Sequence, residues 1–187
     1  MKLPPLKAAL LAALLAACST SVQAGDWFLH EFGELRSYHG DWLNVCRDKG
    51  EGDCRAVQIA LKPGDDTFFG ESQVTVHVSP DGEFQIEVFQ RNMSTPVEGI
   101  ISFCFDEVCS GIGGPEGWRF GSKDATNVAE TFVITDKDVA ALTVERMIAN
   151  NKLEVVHGPY GSEMRARFSL RGVTAALNAI EQHYKDR

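Results

Sequence analysis

The residues best suited to chemistry are four cysteines in two close pairs, Cys46 with Cys54 and Cys104 with Cys109. Closely spaced thiols can bind a metal, carry out redox chemistry or form disulfides. Zinc knuckles and redox motifs place two residues between their cysteines, whereas seven and four residues separate these pairs. No histidine stands near either pair in the sequence. We therefore predict disulfides, with no metal and no cofactor.

Proximity along the chain favours the pairings Cys46–Cys54 and Cys104–Cys109 among the three that four cysteines allow. The stretch between the first two is rich in turn residues at positions 50–53, which suits the tip of a hairpin. Each disulfide would close a short loop and stabilise the fold by about 2–3 kcal/mol. The predicted bridges thus hold hairpins together rather than distant parts of the chain.

Recognisable catalytic patterns are missing from the sequence, including the Gly-x-Ser-x-Gly elbow, the His-Glu-x-x-His helix and the phosphate-binding loop. The histidines are scattered singly: His30, His39, His77, His157 and His183. His77 alternates with valines and is expected on the polar face of a strand. Asp65 and Asp66 fall in a predicted turn, and Asp136 and Asp138 fall at a predicted helix cap. Acidic residues are common at both kinds of position without a catalytic role. We predict no catalytic residue; the alternative is an enzyme of the cell envelope with an acidic site that the sequence does not reveal.

A glycine-rich segment at 110–121 carries Trp118, Arg119 and Phe120. Tryptophan and arginine are enriched at the energetic centres of interfaces, so this segment is a candidate partner-binding loop. Alternatively, Trp118 and Phe120 fold back and fill the end of the domain, because large aromatic side chains are seldom left exposed. We favour the second interpretation.

The first 24 residues are typical of a secretory signal, with Lys2 and Lys7 before a ten-residue apolar run. That run is too short to span a bilayer, which takes about 20 residues. Cleavage after Ala24 would leave a soluble chain that is periplasmic or secreted. The alternative is a lipobox at 15–18, where an acylated Cys18 would make the protein a membrane-anchored lipoprotein.

Composition predicts one globular domain over residues 25–187, after a signal segment at 1–24. The chain has 187 residues, of which 44% are hydrophobic, and a formal net charge of −8. This acidity argues against nucleic acid as a partner. The expected partner is therefore an unidentified protein or envelope component, with membrane contact only if Cys18 is acylated.

Alternating apolar residues and turn signals predict about eight strands. Two helices are predicted late in the chain, one before the last two strands and one after them. The predicted strands are Trp42–Cys46, 57–61, 74–78, 84–88, 100–105, 131–134, 153–156 and 164–170. The first helix is expected to begin at a Thr135 cap and to bury Val139, Leu142 and Met147. The second is expected over Val173–Tyr184, with an apolar stripe at Val173, Ala176, Leu177, Ile180 and Tyr184. The fold class predicted is mostly β, an immunoglobulin-like antiparallel β-sandwich with two late α-helices.

Three features in order along the chain resemble the bacterial invasion-associated locus B family. They are Gly40-Asp41-Trp42, the two cysteine pairs, and Ser-Leu-Arg-Gly-Val-Thr-Ala-Ala-Leu at 169–177, and together they cover about residues 38–180. The resemblance implies an exported immunoglobulin-like β-sandwich without assigned catalytic residues. Some members are linked to invasion of host cells, and others occur in bacteria that invade no host. The stretch at 110–136 is longer than is usual in the family, so no shared partner surface near Trp118 is implied.

Overall fold

The structure is a computed structural model that describes residues 25–60, 72–91, 101–106, 118–119, 125–128, 130–157 and 164–187. The predicted signal segment and Cys18 lie outside these residues. The strands are β1 (Phe28–Leu29), β2 (Leu35–His39), β3 (Trp42–Cys46), β4 (Cys54–Ile59), β5 (Ser72–Val78), β6 (Phe84–Gln90), β7 (Ser102–Phe105), β8 (Trp118–Arg119), β9 (Ala125–Val128), β10 (Thr131–Ile134), β11 (Lys152–His157) and β12 (Met164–Ser169). The helices are α1 (Lys137–Ala149) and α2 (Val173–Lys185).

The strands form two antiparallel sheets. The larger has eight strands in the order β1-β2-β3-β4-β5-β6-β10-β9, and the smaller has four in the order β12-β11-β7-β8. Strands β1 to β6 lie side by side in the order in which they follow along the chain, which is the arrangement of a meander. The prediction of a mostly β fold with antiparallel sheets and two late helices is confirmed.

One buried hydrophobic cluster draws side chains from both sheets and both helices. In β5, Val74, Val76 and Val78 all point to this core, as a period of two requires. The rings of Phe103 on β7 and Phe132 on β10 lie 6.3 Å apart, so the two sheets meet directly. The alternation read from the sequence therefore assigns the buried face of the central strands correctly.

Helix α1 differs from its prediction at both its cap and its buried face. Its N-cap is Asp136, whose Oδ1 accepts hydrogen bonds from the backbone N–H of Asp138 and Val139, both at 3.0 Å. The predicted Thr135 cap is wrong because the helix begins one residue later. Leu142, predicted to be buried, is 43% exposed. Met147 is buried as predicted and Val139 packs against the core as a partly buried side chain, while Ala140, Thr143 and Val144 complete the face that lies against β6 and β10.

Helix α2 follows its prediction closely. Its buried residues are Val173, Ala176, Leu177 and Ile180, and Tyr184 packs against the core as a partly buried side chain. The helix lies across β2 to β5. The buried Asn44 of β3 donates a 2.8 Å hydrogen bond from its side-chain amide to the Ala176 carbonyl, which ties the helix to the sheet.

Four strands were not predicted: β1, β2, β8 and β9. Two of these have only two residues, too few to show a periodicity. Strand β2 contains Arg36 and Ser37 between its apolar residues, with Ser37 buried, so its pattern is not a simple alternation of apolar and polar. Leu61 and Ile100, at the ends of two predicted strands, lie outside the described residues.

Candidate functional site

The first cysteine pair forms the predicted disulfide. Cys46 and Cys54 are directly opposite each other in β3 and β4, with Cα atoms 4.1 Å apart, and they are bonded to each other. A short 3-10 turn at Asp48–Gly50 lies in the hairpin between them. Cys104 is also disulfide-bonded, and its predicted partner Cys109 lies outside the described residues. Disulfides are typical of oxidising, extracytoplasmic compartments.

Side chains from the end of α2 hold the disulfide hairpin. Arg187 donates to the carbonyl oxygens of Gly50, Glu51 and Gly52, and its guanidinium packs over the ring of Tyr184 at 4.7 Å. His183 Nε2 lies 2.9 Å from the Gly50 oxygen. The helix therefore closes over the hairpin and buries the disulfide, which no local feature of the sequence predicts.

His183 also lies beside the two sulfur atoms. One ligand atom each from Cys46, Cys54 and His183 lies within 4.8 Å of the other two. The sequence places no histidine near this pair, because His183 stands far along the chain and only the docking of α2 brings it there. His77 lies on the face of the sheet away from the core, as predicted, and its Nε2 lies 3.3 Å from a carboxylate oxygen of Glu87.

The segments behind the family resemblance meet in space. The Asp41 carboxylate accepts two hydrogen bonds from the Arg171 guanidinium, at 2.6 and 3.2 Å, and the Trp42 indole N–H donates to the Ser169 carbonyl at 3.2 Å. Hydrogen bonds from Arg171 and then Ser169 lower the pKa of Asp41 below its usual value, so this carboxyl stays ionised. We call these contacts of Asp41 with Arg171 and of Trp42 with Ser169 the clamp. The clamp positions the start of α2 against the β2–β3 turn.

Two glycines make this clamp possible. Gly40 has φ +60° and Gly172 has φ +95°, values that favour glycine. A Cβ at Gly40 would lie 2.6 Å from the Arg171 carbonyl oxygen, and one at Gly172 would collide with the His39 carbonyl. The two turns therefore approach each other as closely as backbone allows, so the motif residues of this region have a structural role.

A cleft of about 820 Å³ lies beside this clamp, along β11 and β12. Glu154 pairs with Arg165 and Arg167 at 3.0 and 2.8 Å. Asp106 accepts hydrogen bonds from the backbone N–H groups of Asn151 and Lys152. Basic side chains and backbone N–H groups thus pair with both carboxylates of this cleft.

Among the residues that the structure describes, the most exposed large hydrophobic side chains lie on the first hairpin, residues 28–39. Leu29 is 57% exposed, Phe32 is 76% exposed at the tip, and Tyr38 is 52% exposed. The tip is a tight turn in which Gly33 N–H donates to the His30 carbonyl and His30 N–H donates to Glu34. The Phe28 and Tyr38 rings stack at 5.9 Å. The turn fixes the tip of the hairpin, and the stacked rings lie on the face of the hairpin opposite to Leu29.

This hairpin also forms one edge of the larger sheet. Strand β1 pairs with β2 through Phe28 with Arg36 and Leu29 with Leu35, and it stands at one end of the sheet order. Edge strands present backbone groups to solvent, which other chains can pair with. Sequence analysis did not identify this surface, since its short strands lack a periodic pattern.

The predicted partner loop is only partly described. Trp118 and Arg119 form β8, which pairs with β7 at the edge of the smaller sheet. Phe120 lies outside the described residues. Whether Trp118 fills the end of the domain or faces a partner therefore stays a prediction.

No helix among the residues that the structure describes is long and apolar enough to cross a membrane. Comparison with known proteins adds no relative: no family model, no curated protein and no solved structure matches this chain.

Proposed function

We propose that this chain is an exported, non-enzymatic envelope protein that binds a protein or other envelope component through its first hairpin. The exposed apolar side chains of that hairpin are the observation that carries the proposal. Within the described residues, five large hydrophobic side chains are exposed, and Leu29, Phe32 and Tyr38 on this hairpin are three of them. By strand alternation Leu29 and Tyr38 lie on opposite faces of this hairpin, with Phe32 at its tip, so a partner that pairs with the edge strand would meet apolar side chains on both sides of it.

The hairpin offers a partner two kinds of contact. Its edge strand provides backbone hydrogen-bonding groups, and its tip provides an aromatic side chain that is already positioned by a tight turn. Backbone pairing contributes affinity while the flanking side chains contribute specificity. A surface that is ordered before binding loses little conformational entropy when the partner arrives.

Export is supported by the signal-like first 24 residues and by the Cys46–Cys54 disulfide. The resemblance to the invasion-associated locus B family points the same way, since it implies an exported protein without assigned catalytic residues. We include membership of that family in the proposal, and a lipid anchor at Cys18 as its alternative form.

The test is binding to envelope extract by wild-type protein and by a Leu29→Ser/Phe32→Ser variant. Loss of two exposed apolar anchors should weaken capture of a specific component by about 30-fold, the effect of roughly 2 kcal/mol at an energetic centre. The captured component is identified and its binding repeated with purified material. Folding should hardly change, because both side chains face solvent.

The matched control is Leu142→Ser on α1, which removes a 43% exposed leucine away from the hairpin. It should bind like the wild type. If the hairpin variant binds as well as the control, the first hairpin is not the binding surface. A Trp118→Ala variant that keeps its stability but loses capture would move the site to the smaller sheet.

A further inference from the structure

The spacing of Cys46 and Cys54 in the sequence is not that of a metal site, but in the structure a histidine lies beside the buried disulfide that they form. Cys46 and Cys54 project from paired strands to the same face, and His183 reaches them from α2. Their three ligand atoms lie mutually within 4.8 Å. Both cysteines are almost completely buried, at 0% and 1% exposure.

We propose that, when the disulfide is reduced, Cys46, Cys54 and His183 form a binding site for a zinc-class divalent ion. Two thiolates and one imidazole are the donor types that zinc prefers. Zinc is usually tetrahedral, so three protein ligands leave one position for water. This site is separate from the first hairpin and does not depend on the function proposed there.

The reaction that opens the site is a two-electron reduction. A dithiol reductant transfers two electrons and two protons to the Cys46–Cys54 bond, which gives two thiols and leaves the reductant as a disulfide. Binding of the ion then releases the two thiol protons, because thiolates are the ligands. Disulfide and metal use the same sulfur atoms, so the two states exclude each other.

The ligands are on fixed elements rather than on a free loop. Cys46 and Cys54 are held by the β3–β4 ladder, and the His183 ring packs against the Trp27 ring with centroids 5.0 Å apart. Sites built on strands and helices keep their geometry better than sites on loops. The histidine therefore stays within reach of both sulfur atoms as long as α2 remains docked.

The local charge is compatible with a bound dication. A guanidinium nitrogen of Arg187 lies 3.7 Å from the Cys54 sulfur. A cation beside sulfur favours its thiolate form. Two thiolates balance the two charges of the ion, so the bound site is neutral overall and Arg187 does not face a net positive charge.

The experiment titrates reduced, oxygen-free protein with Co²⁺, a coloured substitute for Zn²⁺. All proteins carry Cys18→Ser, so that this cysteine contributes no ligand. A Cys104→Ser/Cys109→Ser variant should bind one ion per chain, with a thiolate-to-cobalt absorption band that Zn²⁺ removes. A Cys46→Ser/Cys54→Ser variant, which keeps the other two thiols, should show no such band. The Cys104→Ser/Cys109→Ser variant should also lack the band when its Cys46–Cys54 disulfide is left intact.

The histidine is tested in the Cys104→Ser/Cys109→Ser background. His183→Ala should weaken Co²⁺ binding at least about tenfold. His77→Ala, which removes a histidine from the opposite face of the sheet, should leave it unchanged. Far-UV circular dichroism is recorded throughout, and if reduction unfolds the chain, added Zn²⁺ should restore the native spectrum.

Two results would overturn the proposal. One is the absence of a cobalt band in the reduced Cys104→Ser/Cys109→Ser protein, whether it stays folded or fails to refold with metal. The other is equal affinity in the His183→Ala and His77→Ala variants, which would reduce the site to two thiols that bind metal without the fold.

Discussion

The hydroxyl of Tyr184 lies between two backbone groups of neighbouring strands and forms a hydrogen bond with each. It accepts a 2.8 Å hydrogen bond from the Cys54 N–H and donates a 2.9 Å bond to the Val78 carbonyl. Cys54 and Val78 are paired residues of β4 and β5, so the hydroxyl bridges the two strands where their ladder begins. Tyr184→Phe removes this bridge and leaves the ring in place.

The expected cost follows from the burial of the two backbone groups. Cys54 is 1% exposed and Val78 is 5% exposed, so water has little access to either residue. A buried donor or acceptor left without its partner costs about 1–3 kcal/mol. The strands can close slightly on each other and recover part of this energy. We therefore expect Tyr184→Phe to lower the free energy of unfolding by about 2–4 kcal/mol.

Urea denaturation without reductant measures this change, because the disulfide must stay intact in both proteins. The midpoint should fall while the m-value stays constant, since the surface exposed on unfolding hardly differs. Tyr38→Phe is the matched control: that tyrosine is 52% exposed, and its stability should stay within about 0.5 kcal/mol of the wild type. A Tyr184→Phe protein as stable as this control would refute the inserted hydroxyl.

Two further changes test the clamp and the neighbouring histidine. Gly172→Ala should destabilise the protein by about 1–3 kcal/mol more than Gly82→Ala in the same urea assay. Both glycines have positive φ, but only at Gly172 would an added Cβ collide with backbone atoms. Equal losses of stability would contradict the close approach of the two turns. Burial lowers the pKa of His39, so its contribution to stability is present above the unfolded pKa of about 6.5 and is lost as pH falls through the lower folded value. His39→Gln should therefore lose less stability than the wild type between pH 7.5 and pH 5, and parallel pH curves would show that His39 plays no part.

Much of the fold follows from local patterns in the sequence. Valine alternates with polar residues in β5 because the valines face the core, and α2 shows its core-facing stripe because it lies across the sheet. The Cys46–Cys54 bridge was predictable since a hairpin brings close cysteines together. Helix α1 was less predictable: it buries Thr143, whose hydroxyl donates to the Val139 carbonyl of its own helix and so needs no solvent.

The candidate sites were hidden from the sequence because tertiary contacts create them. Nothing near His183 in the chain indicates that it will lie beside two cysteines, and docking of α2 alone brings them together. The first hairpin is apolar at positions whose strands are too short to show a period. Its exposure depends on its place at the edge of the sheet, which is a property of the whole strand order.

The residues on which the family resemblance rests have a structural role, so the resemblance bears on the fold and not on what the protein binds. Asp41 with Arg171, Trp42 with Ser169, and the glycines beside them join the β2–β3 turn to the start of α2. These contacts position a helix and leave no reactive group free, so chains that share them would share this architecture whatever they bind. Partner choice would then depend on surfaces outside the clamp. The binding surface that we propose, the first hairpin, lies outside the clamp, and its Phe32 is 76% exposed, so substitution there should leave the core undisturbed.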